Sequence, residues 1–287
     1  MTHLSLFPMK GLFFAGETVR VEALATGVMR LVLNRPQVRN AFNARMIQEL
    51  SEALSQLARI SDPEVLRLLL LEGEGTVFCA GADLAYMKEQ ASAEAGQNLE
   101  NARELARLFV RLGEFPVPVV SYVRGAAIGG GLGLAVCSDF VLAEPTAHFA
   151  TSEVTLGLVP AVISPYIVRK LGLAHAAPLM LTGRRIQARE GLLSGLVQRL
   201  VEPGETGEEA LARVLQEFLR AGPQAARATR ELLRRICPLP APDLFEFTAQ
   251  AIAAARASSE GQTGLQSFFH KAAPGWVHPV PLTERRV

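Results

Sequence analysis

Two stretches of this chain are apolar almost without interruption, and they limit its fold more than any other feature. Residues 65–71 read Val-Leu-Arg-Leu-Leu-Leu-Leu, and residues 118–123 read Pro-Val-Val-Ser-Tyr-Val. A strand with one wet face alternates polar and apolar residues. Runs this short and continuous suit strands covered on both faces, as in a parallel sheet clothed by helices. The neighbouring segments fit such a sheet. Residues 19–25 alternate as a half-buried strand, residues 28–33 form a second, and Thr26-Gly27 reads as the hairpin turn between them. Residues 43–60 place Met46, Leu50, Leu54 and Leu57 at helical spacing, with Asn43 as N-cap. Residues 98–112 and 132–137 also read as helices, and residues 140–143 as a strand. The alternation of strand and helix predicts an α/β architecture. From residue 163 onward the chain predicts helices at 163–171, 174–181, 188–194, 207–221, 223–236 and 243–258, interrupted by a strand at 196–200. Residues 238–242 (Pro-Leu-Pro-Ala-Pro) read as a stiff linker. Helices beyond an α/β core must bury their apolar faces, and a partner subunit is one candidate surface.

Composition removes several function classes. With 29 Lys and Arg against 28 Asp and Glu, net charge gives no case for nucleic acid or an acidic membrane surface as partner. Cys79, Cys137 and Cys237 are odd in number and far apart, which argues against a disulfide framework or a zinc site and for a reducing compartment, the cytoplasm. The apolar run at 4–15 is broken by Pro8, Lys10 and Gly11, too short to span a membrane and without a basic segment before it. Residues 1–16 therefore read as an N-terminal extension whose composition sets no fixed structure. A core follows at 17–200 and a helical region at 201–287. A chain of 287 residues can bury roughly 75% of the surface it exposes unfolded, so it needs no metal staple.

Three segments carry chemistry. Residues 78–84 (Phe-Cys-Ala-Gly-Ala-Asp-Leu) form a turn of small residues after a buried strand, where a ligand can approach the backbone; the same turn could be a plain helix entry with Asp83 as cap. Residues 125–133 contain three consecutive glycines, Gly129-Gly130-Gly131, after a strand and before a helix. N–H groups left uncovered there favour a developing negative charge, although glycines also permit close helix packing. The spacing fails the dinucleotide fingerprint, and the absence of lysine rules out a phosphate-binding P-loop. Glu153, in Thr-Ser-Glu-Val, lies in an apolar stretch where burial would raise its pKa and suit it to proton transfer; a first-turn helix Glu is the plainer alternative.

In order and spacing, residues 78–84, 125–131 and 152–154 resemble the enoyl-CoA hydratase/isomerase (crotonase) superfamily. Asn34-Arg35-Pro36 with Asn40-Ala41, Leu181-Thr182-Gly183, residues 188–191, residues 195–197 and residues 268–271 are similar to further segments of that family. The likeness covers roughly Val19 to Trp276. It implies a spiral of ββα units followed by a C-terminal helical trimerisation region, a homotrimer or homohexamer, and an acyl-CoA substrate with no separate cofactor and no metal. It implies that the N–H groups of Ala82 and Gly130 form an oxyanion hole for a thioester enolate, each worth about 3 kcal/mol in the transition state. Glu153 is implied as the acid and base. CoA contacts are implied at Arg39, Ala41, Ala80, Gly81, Ala82, Asp83, Leu84, Gly130 and Lys271.

One position departs from the pattern. Many hydratases of the family carry a second glutamate two residues after the glycine triple, and here that residue is Gly133. A lone glutamate is also what some Δ3,Δ2-enoyl-CoA isomerases use. Residues 152–154 with 157–166 (Gly-Leu-Val-Pro-Ala-Val-Ile-Ser-Pro-Tyr) resemble the bacterial methylglutaconyl-CoA hydratase-like branch, whose members also have glycine at the Gly133 place. Hydration of a 2-enoyl-CoA, with a branched acyl group as one option, ranks first. Isomerisation ranks second. A non-catalytic CoA- or RNA-binding relative and an NAD oxidoreductase are the rival classes.

Overall fold

The two apolar runs become neighbouring parallel strands at the centre of a sheet. In the computed structural model, which describes residues 9–24, 27–237 and 242–277, strand β4 (Leu68–Gly73) sets Leu69 opposite Val119 and Leu71 opposite Ser121 of β5 (Val119–Val123). Every residue of both strands is buried. On one side follow β3 (Val28–Leu33), parallel to β4, then β2 (Val19–Leu24), antiparallel to β3, and β1 (Met9–Ala15), antiparallel to β2. On the other side lie β7 (Phe140–Ala143) and β10 (Arg199–Leu200), both parallel, completing a seven-stranded sheet. A second, three-stranded sheet holds β6 (Ala126–Ile128), β8 (His148–Ala150) and β9 (Ile186–Gln187).

The chain therefore winds between two sheets. β5 lies in the large sheet and β6 in the small one, and α4 (Gly130–Cys137) follows; β7 and β8 repeat the step before α5 (Ser164–Thr182). This is the ββα spiral. Outside it pack α1 (Ala44–Ala58), capped by Asn43 accepting from the Met46 N–H at 2.9 Å, α2 (Leu84–Ser92), α3 (Ala95–Gly113) and α6 (Ala188–Leu193). In the C-terminal part, α7 (Gly207–Leu219) covers the face of the large sheet formed by Leu68, Leu70, Val120 and Leu142. After it come α8 (Pro223–Ile236), α9 (Pro242–Ala257) and α10 (Ser259–Phe269). No helix among the described residues is long and apolar enough to cross a membrane.

The sequence expectations differ from the structure at identifiable places. Residues 9–15, assigned to an unstructured extension, are edge strand β1. Its register shifts between Met9 and Gly11 and again between Leu12 and Phe14, and such bulges erase the two-residue period that marks a strand. The turn after β1 is tied down by Glu49 of α1, whose carboxylate accepts from the N–H groups of Glu17, Thr18 and Val19. The strand expected at 65–71 begins only at Leu68, because residues 63–65 turn and the Arg67 N–H donates to Gly27 O at 2.8 Å. The strand expected at 196–200 shrinks to two residues. The two helices expected at 163–171 and 174–181 are both present, as the two halves of α5 on either side of a non-helical break at Gly172, φ 68°. Strands β6, β8 and β9 were not foreseen, and helix α2 only at its start, in the alternative that made Asp83 a cap. Thr26 and most of the 238–242 linker lie outside the described residues.

Candidate active site

The turn at 78–84 is held from both sides by backbone hydrogen bonds. The Cys79 N–H donates to Ala126 O at 2.9 Å, and the Ile128 N–H donates to Cys79 O at 3.0 Å, which straps the turn to β6. Across the turn, the Phe42 N–H donates to Gly81 O at 2.7 Å and the Asp83 N–H to Phe42 O at 2.8 Å. Successive N–H groups of an extended chain point to opposite sides. With Asp83 facing Phe42, the Ala82 N–H faces the other way, and among the described residues it donates to no protein acceptor. Gly81 makes this path possible with φ +97°, a conformation that a side chain resists.

The glycine triple supplies the second donor. The Gly129 N–H is used by Ala150 O at 2.9 Å, and Gly129 (φ 51°) caps α4, so Gly130 is its first residue. First-turn N–H groups have no partner within a helix, and the Gly130 N–H finds none elsewhere among the described residues. The three glycines also meet three different neighbours. A Cβ on Gly129 would lie 3.0 Å from Glu153 Oε1, one on Gly130 would lie 3.0 Å from the Phe42 ring, and one on Gly131 would lie 2.6 Å from Cys79 O. Close packing is thus part of their role, together with the open N–H.

Glu153 lies in a short 3-10 turn, Ser152–Leu156, directly after β8. Thr151 anchors the turn by donating its hydroxyl to Leu179 O at 3.0 Å, and the Leu158 N–H closes it on Glu153 O at 3.0 Å. The residue as a whole is partly exposed, but its Oε2 is shut off from solvent and has no hydrogen-bond partner among the described residues. Desolvation of that carboxylate pushes its pKa from 4.5 up to about 7. Its Oε1 borders Gly129, so the proton-transfer group sits beside the glycine that precedes the second donor.

At Gly133, a Cβ would stand 2.5 Å from Ile163 Cγ2 and 2.6 Å from Phe109 Cε1. The space in which a second glutamate would project is already filled by apolar side chains.

These groups line one cavity of about 970 Å³. Arg39, Ala41, Ala80, Gly81, Ala82, Asp83, Leu84, Gly130 and Glu153 all border it, and Lys271 does not; Phe268, three residues earlier in the chain, does. Asp83 is engaged structurally: it caps α2 by accepting from the Ala85 N–H at 2.8 Å and pairs with Arg35 at 2.8 Å. Arg35 also donates to Ala41 O at 2.6 Å, so it fastens the two halves of the turn together. Sequence reasoning missed the rest of the wall. It includes His148 and Arg185, and Tyr86 and Gln90 of α2, Leu105 of α3, and Ile252 and Arg256 of α9. The C-terminal helices therefore close the site as well as extending the fold. A chemistry fits this arrangement. Two open backbone donors on one cavity wall can hold an oxyanion, and a carboxylate titrating near neutrality can give and take a proton in the same cavity.

The enoyl-CoA hydratase/isomerase family profile matches residues 24–279. A solved enoyl-CoA hydratase from Shewanella pealeana superposes with a TM-score of 0.71 at 37% identity, covering 91% of this chain and 96% of that one. Human enoyl-CoA hydratase domain-containing protein 2, mitochondrial, is 33% identical over 269 residues, 91% of this chain and 90% of that protein. The enoyl-CoA isomerase/hydratase fer4 of Mycosarcoma maydis is 33% identical over 212 residues, 71% of this chain and 76% of its own.

Proposed function

The chain belongs to the enoyl-CoA hydratase/isomerase family, and on that premise we propose that it adds water across the double bond of a 2-enoyl-CoA thioester, with Glu153 as the only carboxylate in the proton transfers. The observation that carries this reading is the buried Glu153 Oε2, unpartnered among the described residues, in the same cavity as two N–H groups, Ala82 and Gly130, that serve no acceptor among those residues. In the forward step, ionised Glu153 takes a proton from water as the water oxygen bonds to C3. The electron pair of the double bond moves onto the thioester, and the enolate oxygen is held by the two N–H groups. Glu153 then returns the proton to C2, leaving a 3-hydroxyacyl-CoA. Each backbone donor contributes about 3 kcal/mol to the enolate. The proton balance closes without a further cofactor; CoA enters with the substrate.

One observation supports the second reading, Δ3,Δ2 isomerisation. The packed surroundings of Gly133 leave no room for the partner carboxylate that would help to hold a water. There Glu153 would lift a proton from C2 of a 3-enoyl-CoA and return it at C4, over the same oxyanion hole. A non-catalytic binding relative is disfavoured, because it has no use for an unpaired buried carboxylate that destabilises the fold. Incubation with a panel of 2-enoyl- and 3-enoyl-CoA thioesters, read by mass spectrometry, separates the readings. Hydration adds one water mass, isomerisation adds none, and no change with any thioester refutes both.

Arg39 and Arg185 border the cavity and carry the charge to meet CoA phosphates. Helices α5, α6 and α8 expose large apolar side chains, including Leu181 and Leu193, each 78% exposed, and Ile236 at 69%. These support a homotrimer or homohexamer, which light scattering on the purified chain would read as three or six protomer masses. The buried thiols of Cys79 and Cys137 fit the cytoplasm as compartment.

A further inference from the structure

Two helices close through glycines on the short turn that carries Glu153. Gly264 of α10 lies against the Leu156–Gly157 peptide. A Cβ there would stand 2.1 Å from Leu156 O, 2.4 Å from Leu156 C and 3.1 Å from Gly157 N. The contact is mutual, because a Cβ on Gly157 would stand 2.6 Å from Glu260 O, one helical turn before Gly264. Gly183, the C-cap of α5, approaches the same turn at other atoms. Its Cβ would meet Thr155 Cγ2 at 2.8 Å, Val154 Cγ2 at 3.1 Å and Thr151 O at 3.2 Å. A backbone carbonyl cannot swing aside as the end of a side chain can, so a methyl at position 264 must displace either the helix or the turn.

The turn is the part that yields. Helix α10 is fastened independently of this contact: Gln262 Nε2 donates to Ala91 O at 2.9 Å and to Arg256 O at 2.7 Å, and the Ser258 hydroxyl caps the helix by accepting from the Gly261 N–H at 3.0 Å. The turn is five residues long, and its closing hydrogen bonds run from the Gly157 N–H to Val154 O at 3.2 Å and from the Leu158 N–H to Glu153 O at 3.0 Å. Pressure on the Leu156–Gly157 peptide therefore passes straight to the backbone of Glu153. The carboxylate has little slack at its other end, where Oε1 borders Gly129. We propose that Gly264 and Gly183 are positioning residues for the proton transfer: having no side chains, they let α10 and α5 clamp the turn so that the Glu153 carboxylate stays in its dry pocket beside the glycine triple. The inference rests on the reading of Glu153 as acid and base.

The titration of Glu153 tests the clamp without turnover, read from the carboxyl infrared band that Glu153→Gln lacks. Gly264→Ala and Gly183→Ala are each expected to move its midpoint down by roughly one pH unit, as the displaced turn lets water reach Oε2. Gly183→Ala also strains a left-handed backbone at φ 64°, so the midpoint and not the stability is the reading. With an enoyl-CoA as substrate, both variants should lose kcat on the order of 100-fold while binding saturated butyryl-CoA as the wild type does. Gly261→Ala is the matched control. Its Cβ would press on Ala255 O at 2.1 Å, away from the turn, and its next neighbour, Leu158 Cδ2 at 3.2 Å, is the movable end of a side chain. It should lose stability as Gly264→Ala does and keep the wild-type midpoint and kcat. An unmoved midpoint in Gly264→Ala and Gly183→Ala overturns the clamp; if Gly264→Ala fails to fold, Gly183→Ala decides alone. An equal shift in Gly261→Ala overturns it too, since any loosening of α10 would then suffice. The expected shifts in a chain that turns over no enoyl-CoA uphold the clamp and overturn the reading of Glu153 as acid and base.

Discussion

Replacing Glu153 with glutamine should destroy activity and stabilise the protein, the second effect appearing only as pH rises. Burial lifts the carboxyl from 4.5 to about 7. Between those values the folded chain holds a proton that the unfolded chain has released, so the native state binds more protons and stability must fall as pH increases. Below the unfolded pKa the group is neutral in both states and nothing is lost; above the folded pKa the full penalty applies. Integrating over one group, the wild type loses about 2.5 kcal/mol between about pH 5 and about pH 8. Glutamine has the same shape and no charge, so it escapes this loss. The cost of a buried amide without partners is the same at both pH values and cancels in the comparison. Urea melts of both proteins at the two pH values give the quantity directly. The stability of Glu153→Gln relative to wild type should be more favourable at the higher pH by about that amount. A difference that does not change with pH would refute the claim that this carboxylate is desolvated, and with it the basis for its role as base. On the activity side, the substitution should lower kcat on the order of 1000-fold, and wild-type kcat/KM should climb through about pH 7 as Glu153 ionises.

Other substitutions probe the frame of the site. Gly130→Pro deletes the donor N–H at the first position of α4, where its Cβ also presses on the Phe42 ring at 3.0 Å; Gly130→Ala adds the same Cβ but keeps the N–H, so kcat of the proline variant should lie 100-fold or more, roughly, below that of the alanine variant. Gly133→Ala forces a methyl to 2.5 Å from Ile163 and 2.6 Å from Phe109 and should cost about 1–3 kcal/mol in a denaturant melt. Gly133→Glu should therefore lose stability without gaining hydration rate. Asn40→Ala removes donors to Glu74 O at 2.9 Å and Val77 O at 2.7 Å and the acceptor for the Arg35 N–H at 2.8 Å, all beside the oxyanion turn. About 3 kcal/mol of stability should disappear, read as a lower urea midpoint.

The two open N–H groups were legible in part. Small residues at 80–82 and the glycine triple mark where a ligand can approach the backbone, and it was the family resemblance that singled out Ala82 and Gly130 there. Glu153 was legible as a carboxylate in an apolar stretch, but its orphaned Oε2 depends on neighbours that only folding supplies. Arg256 was not legible. Gln90 and Asn98, whose amide oxygens accept from its Nη1, stand far away along the chain, and nothing in a helical run ending Ala-Ala-Arg-Ala says which polar groups it will meet. The fold shows the same division. Long buried strands and stripes of leucine were found near their true bounds. Strands β6, β8 and β9, of two or three residues, are too short for any period to show, and α2 buries only Tyr86 and Gln90, too few to mark a stripe. Lys271, grouped with the CoA contacts by its place in the C-terminal segment, stands outside the cavity wall.

A crystal structure of Glu153→Gln with crotonyl-CoA bound is the most direct test of the hole formed by Ala82 and Gly130. The thioester oxygen is expected at about 2.7–3.1 Å from both backbone nitrogens, with C2 and C3 facing residue 153. A thioester oxygen held elsewhere, or either N–H turned onto a protein carbonyl in the complex, would contradict it.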